Sequence, residues 1–91
     1  MLRQGTEQHI GDTTLLIEAG QADGTIREED AALLALGVVG AVGHYSHFSR
    51  TGRITMPLPD LADFVARWVV HSVAADEQCA RDALRPPALT A

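Results

Sequence analysis

The sequence predicts an all-α fold: a three-helix antiparallel unit that pairs with a second copy through a four-helix-bundle interface. Three observations carry that expectation. The chain has 91 residues, which suits one domain with a marginal core. Its apolar residues recur at helical spacing in three segments. The last two of these segments carry more apolar surface than one small chain can cover.

Chains of this size usually need a disulfide, a metal or another subunit to supplement the core. Cys79 is the single cysteine, so an internal disulfide is excluded and association is the favoured supplement. A lone thiol also suits a reducing, cytoplasmic setting. The net charge is −5, from seven basic and twelve acidic side chains. All seven basic residues are arginine and they are scattered, the nearest pair being Arg50 and Arg53. A polyanion-binding domain gathers positive charge on one face, so nucleic-acid binding by this chain is not expected. The longest apolar run, Ala31 to Gly43, falls short of the roughly 20 residues needed to span a bilayer. No signal-peptide pattern opens the chain, and no membrane partner is expected.

The first helix is expected over residues 2–19. At about 100° per residue, Leu2, Thr6, His9, Ile10, Thr13, Leu16 and Ile17 share one stripe, with Gln4, Glu7, Gly11 and Glu18 opposite. Gly11-Asp12 is a place for a kink, Gly20 a candidate C-cap, and Asp23-Gly24 a turn.

The second helix is expected over 30–48, opened by Glu28, Glu29 and Asp30 at the positive end of its dipole. Ala31 to Gly43 contains no polar side chain, so this helix must be covered on several sides. Gly37, Gly40 and Gly43 recur every three residues, a pattern that points to close approach by another helix.

A loop spans Ser49 to Leu58, and the third helix is expected over 59–75, with Pro59 and Asp60 in its first turn. Asp60, Asp63, Arg67 and His71 occupy an arc of roughly 80° at 3.6 residues per turn. The rest of the wheel is apolar, about twice the width of an ordinary apolar stripe. Residues 76–91 form a C-terminal extension, partly helical or disordered. Asp76 to Leu84 could prolong the third helix, with Glu77 and Arg81 at i,i+4 spacing, and Pro86-Pro87 stops it.

A two-fold axis beside the second and third helices covers the surplus apolar surface economically. The expected interface contains Val39, Gly40, Gly43, His44, His47, Leu61, Val65, Trp68, Val69 and Ser72. Trp68 serves either as its anchor or as part of the monomer core. His9 and Thr13 are candidate polar contacts to a small ligand, the alternative being a hydrogen-bonded core histidine.

The stretch Ile17-Glu18-Ala19-Gly20-Gln21-Ala22-Asp23-Gly24-Thr25-Ile26-Arg27 resembles the junction before the last two helices of TetR-family transcriptional regulators. There a helix often ends in G-x-x-x-G-x-(I/F)-R, ahead of acidic residues and an Ala/Leu/Gly-rich helix. The loop with Arg50, Gly52 and Arg53, followed by Leu61-Ala62-Asp63-Phe64, is similar to the same region, and the likeness covers about residues 5–75. It implies that Ala31–Phe48 and Pro59–Ala74 match the helices through which family members dimerise. It also implies a small-molecule effector, whose pocket lies largely among upstream helices, with Leu2–Ala19 its one matching element here. No helix-turn-helix pattern precedes the first helix, so a C-terminal fragment or truncated product that kept the dimerisation half is expected. The alternative is a small helical scaffold for another protein.

Catalysis is not expected. Ser46, Ser49 and Ser72 have no activating motif around them. The glycines of the second helix do not sit between a strand and a helix, where a phosphate loop would. His44 and His47, at i,i+3, have no third metal ligand at a diagnostic spacing, so neither a metal nor another cofactor is expected.

Overall fold

A computed structural model describes residues 2–86 and contains four helices: α1 (Leu2–Asp23), α2 (Ala31–Arg50), α3 (Leu58–Val73) and α4 (Glu77–Leu84). The all-α class is as the sequence predicts. Among the described residues there is no strand, only an isolated antiparallel bridge between Ile26 and Ala74.

Helix α1 runs four residues further than its apolar pattern suggests and is unbroken at Gly11-Asp12. Its covered side chains are Ile10, Thr13, Thr14, Ile17, Gly20 and Gln21, a cleaner 3.6-residue repeat than the expected stripe. Leu16, placed on that stripe by the sequence reading, is 72 % exposed, whereas its neighbour Ile17 is buried. Thr14 joins the covered face because its hydroxyl donates to the Ile10 carbonyl (2.6 Å), which hides the polar atom within the helix.

Gly20 is not the C-cap. It lies inside α1 against the side chain of Ile26, and a Cβ built there would stand 2.6 Å from Ile26 Cγ1. The helix ends at Asp23, and Gly24 takes the positive φ (+85°) that glycine alone adopts without strain. The Thr25 amide and hydroxyl both donate to Asp23 Oδ1, at 3.0 and 2.6 Å. Gln21 Nε2 donates to the carbonyls of Arg27 and Glu29 (3.0 and 2.8 Å). Gly20, Gln21, Asp23, Gly24, Thr25 and Ile26 thus each have a structural task, and together they turn the chain from α1 into α2.

The same turn reaches the far end of the molecule. The Arg27 amide donates to the Val73 carbonyl, and the Ala75 amide to the Thr25 carbonyl, both at 2.9 Å. This pairing ties the α1–α2 connection to the α3–α4 connection. It also explains why α3 stops at Val73 rather than continuing: Ala74 is extended (φ −60°, ψ 145°) to make the bridge.

Asp76 then caps a separate short helix instead of prolonging α3. Its carboxylate accepts from the Cys79 amide (2.8 Å), and Ala80 of α4 is buried without exposure. Glu77 and Arg81 form the i,i+4 pair at 3.7 Å on an exposed face, where such pairs contribute little. Helix α2 is capped in the same way, by Asp30 accepting from the Leu33 amide (3.1 Å), and runs to Arg50. Helix α3 opens at Leu58, one residue before Pro59. The expectation for residues 87–91 lies outside the described residues.

Hydrogen bonds from the Thr25 hydroxyl and amide hold the Asp23 carboxyl below its ordinary range, and one from the Cys79 amide does the same for Asp76. A depressed folded-state value gives stability that is complete above the unfolded value and lost as pH falls through the folded one. Acid titration followed by circular dichroism should therefore show α4 helicity falling below about pH 4. Asp76→Ala should remove the same signal at pH 7, and full helicity in that variant would show the cap to be dispensable.

The core is small. Among the described residues Ile17, Ala35, Leu61, Ala74 and Ala80 are its buried apolar members, and no large side chain is fully enclosed. Helix α1 packs mainly on α2, while α2 and α3 touch over a shorter length. The exposed area is 6860 Å², more than about 1,000 Å² above that of a folded monomer of this mass. The radius of gyration, 14.5 Å, likewise exceeds the roughly 12 Å expected of a compact chain of this length.

Candidate functional site

Two apolar grooves flank α2, one on either side. The first lies between α1 and α2. It has a volume of about 770 Å³ and is lined by His9, Ile10 and Thr13 from α1 and by Leu36, Val38, Val39, Gly40, Val42, Gly43, His44 and His47 from α2. The second lies between α2 and α3. It has a volume of about 490 Å³ and is walled by Val42, Tyr45, Ser46, Leu58, Leu61, Ala62, Val65, Ala66, Val69 and Val70. Val42 belongs to both.

Both grooves exist because of how α2 is built. With no polar side chain from Ala31 to Gly43, every face of the helix is apolar, and only Ala35 is buried. Helices α1 and α3 each cover a part of it. The remainder stands open, including Leu33 (66 % exposed) and Leu36 (53 %). Gly37, Gly40 and Gly43 have no atom within 4 Å of a Cβ placed on them. The close helix approach expected at these glycines is therefore not made within one chain.

The residues expected to form one pairing surface divide into three places. Val39, Gly40, Gly43, His44 and His47 line the α1–α2 groove, together with the two ligand candidates His9 and Thr13. Leu61, Val65 and Val69 line the α2–α3 groove, and Leu61 is only 5 % exposed, which places it in the core of the single chain. Trp68 and Ser72 border a smaller depression with Phe64, Arg67 and His71. Trp68 stands 46 % exposed, outside the monomer core. The Ser72 hydroxyl is already committed, donating to the Trp68 carbonyl at 2.8 Å.

His9 is an exposed residue at the edge of its groove, not a core histidine, and Thr13 is half-buried beside it. At the C-terminal end of α2, His44 stacks on Phe48 with ring centroids 6.3 Å apart, and His47 meets the same ring edge-on at 5.3 Å. The Arg53 guanidinium lies 5.5 Å from that ring centroid, within cation–π range. One aromatic ring thus holds two imidazoles and a guanidinium together. Across α2, Tyr45 meets Phe64 edge-to-face at 5.9 Å and anchors α3. The polar arc of α3 is exposed, with Arg67 Nε donating to Asp63 Oδ2 at 3.0 Å.

Chemistry-bearing clusters are sparse. No group of three or more His, Cys, Asp or Glu side chains among the described residues could hold a metal ion. Asp76 holds the Cys79 thiol above its ordinary pKa, through a hydrogen bond and its negative charge, which lowers thiolate reactivity. Compared with known proteins, the chain matches no protein-family model, no curated protein and no solved structure. Among the described residues, α2 is the one helix long and apolar enough to cross a bilayer by length and composition. Its wholly apolar part, Ala31 to Gly43, spans only about 20 Å at 1.5 Å per residue, against a hydrocarbon core of about 30 Å.

The sequence reading missed the groove as a unit. The signal was present: His9 and Thr13 on one helix, and His44 and His47 on the next, all bordering apolar stripes. What it lacked was the rotation of α1 about its axis, which decides whether those edges meet.

Proposed function

We propose that this chain is the self-pairing and effector-binding half of a TetR-like transcriptional regulator. In this reading two copies join along α2 and α3, a small molecule occupies the α1–α2 groove, and no DNA is contacted by the chain itself. One observation carries it. Of the ten large apolar side chains left exposed among the described residues, eight lie between Leu33 and Trp68. They sit on α2, on the loop after it and on α3, and not evenly over the surface.

The surplus area agrees in size. A standard interface removes roughly 800 Å² from each partner, within the excess of more than about 1,000 Å² over an ordinary folded monomer. The Gly20–Arg27 turn, with its resemblance to the family's junction, supports the regulator as the setting. The scattered arginines argue against a polyanion as the partner of this surface.

Light scattering coupled to size exclusion tests the pairing. The expected mass is twice the 9.7 kDa of one chain, with concentration dependence on dilution. A mass of one chain at every concentration would overturn self-pairing and leave a heterologous partner. The regulator setting is tested by the coding sequence upstream of Met1, where an in-frame helix-turn-helix is expected and a stop codon would count against it.

A further inference from the structure

We propose that the α1–α2 groove takes a single-tailed amphiphile with a carboxylate head, its tail along Leu36, Val39, Gly40 and Gly43 and its head at the imidazoles of His9, His44 and His47. This deepens the effector-binding reading above and rests on it.

The size is suitable, since about 770 Å³ falls within the roughly 300–1,000 Å³ of small-molecule sites. From Leu36 to His47 the groove follows eleven residues of α2, about 16 Å at the helical rise, the reach of an extended medium-length alkyl chain. Gly40 and Gly43 leave the floor free of side chains, with no atom within 4 Å of either Cβ position. A tail can therefore lie directly against the backbone.

The head is assigned by which polar groups are present and which are not. Three of the chain's four histidines border this groove, while no carboxylate and no arginine among the described side chains does. An imidazole offers an N–H donor in either protonation state. A cationic head would meet no carboxylate among the described lining residues, whereas an acceptor head can take an N–H from each of three imidazoles. Arg53, over the Phe48 ring that His44 and His47 also meet, adds a fixed positive charge near that end. The overall charge of −5 opposes an anion only weakly, because charges beyond about 8 Å are screened at physiological salt.

The test is calorimetric titration of the full chain with sodium decanoate and with decan-1-ol, both below micelle-forming concentrations. Decanoate should bind once per chain and at least about tenfold more tightly than the alcohol, the ratio that one charge-assisted hydrogen bond supplies. His44→Gln combined with His47→Gln should remove that preference and leave decanol binding unchanged. Gly40→Leu should fill the groove and abolish binding of both. The open space at that position keeps the fold intact, which circular dichroism checks. Equal affinities for the two probes, no binding by either, or decanoate binding that survives Gly40→Leu would each overturn the assignment. Mass measured on the same samples separates the two claims. A monomer that binds decanoate in this pattern would sink self-pairing alone, and a dimer indifferent to decanoate would sink the ligand class alone.

Discussion

Glutamate in place of Val65 or Val69 is expected to convert the paired particle to single chains. Both valines are half-buried and line the α2–α3 groove beside Ala62 and Ala66. A charge carried into an interface without a partner costs about 3–5 kcal/mol, two or more orders of magnitude in the pairing constant. Two-fold symmetry places the substitution twice in the same interface, so the loss should be larger than one site implies. Val65 and Val69 also touch the interior of their own chain, and a lower mass could reflect unfolding. Ala66→Glu removes that ambiguity, because Ala66 lies on the same groove but is exposed in the single chain. It should give the same mass of one chain with an unchanged helical spectrum. Asp63→Lys, on the exposed polar face, should leave the mass untouched. If Val65→Glu, Val69→Glu and Ala66→Glu all keep the paired mass, α3 does not form the interface.

The expectation that α2 is shared between chains rests on its composition. Helices α1 and α3 leave Leu33 and Leu36 exposed, and a helix apolar on every face is best covered by neighbours on every face. How they are apportioned was less accessible. Periodicity reports which residues of one helix share a side, but not which helix that side meets. His44 and His47 therefore read as neighbours of Trp68, when in fact α1 brings His9 to them while Trp68 turns elsewhere with Phe64 and Arg67. The end of α3 was hidden for a related reason. Ala74 and Ala75 are good helix formers, and local preference favours continuation. The backbone bonds to Arg27 and Thr25 come from residues almost fifty positions away, which no local pattern records. Asp76 was the one local clue, since aspartate ahead of an apolar-polar repeat is a cap signal. Its position directly after a strong helix made it look like a surface residue of that helix.

Val42 gives the arrangement a consequence for coupling between the sites. It lines both grooves, so a ligand against one side of α2 and a second copy against the other, as proposed above, would act on the same helix. Affinity at one groove can depend on the other only if the ligand favours one position of α2 over another. The short contact between α2 and α3 leaves such a displacement less opposed on that side than on the α1 side, where packing is more extensive.

Gly20→Leu is expected to unfold the chain at temperatures where the parent is folded, and Gly37→Ala to do the opposite. Both glycines lie inside helices and both carry the cost of about 1 kcal/mol relative to alanine. They differ in what a side chain would meet. At Gly20 a Cβ would stand 2.6 Å from Ile26 Cγ1 and 3.2 Å from Ile26 Cβ. Relief requires the whole Ile26 side chain to retreat, because its branch point is already too close. Ile26 cannot retreat freely, since its amide donates to the Gly20 carbonyl at 3.1 Å and the residue pairs with Ala74 across the molecule. Overpacking costs about 1–3 kcal/mol in a core that can adjust, and the larger leucine at a pinned contact belongs at or above the upper end. A domain of this size shifts its melting temperature by roughly 4–8 °C per kcal/mol, so a fall of at least about 10 °C is the expected result. The damage should also spread, because displacing Ile26 breaks the bridge that holds α3 and α4 to the first turn. At Gly37 nothing lies within 4 Å of the same atom, and Gly37→Ala should raise the melting temperature by a few degrees. Thermal melts of the two variants beside the parent settle the matter: an unchanged Gly20→Leu melt would mean that the Gly20–Ile26 contact does not hold the two connections together.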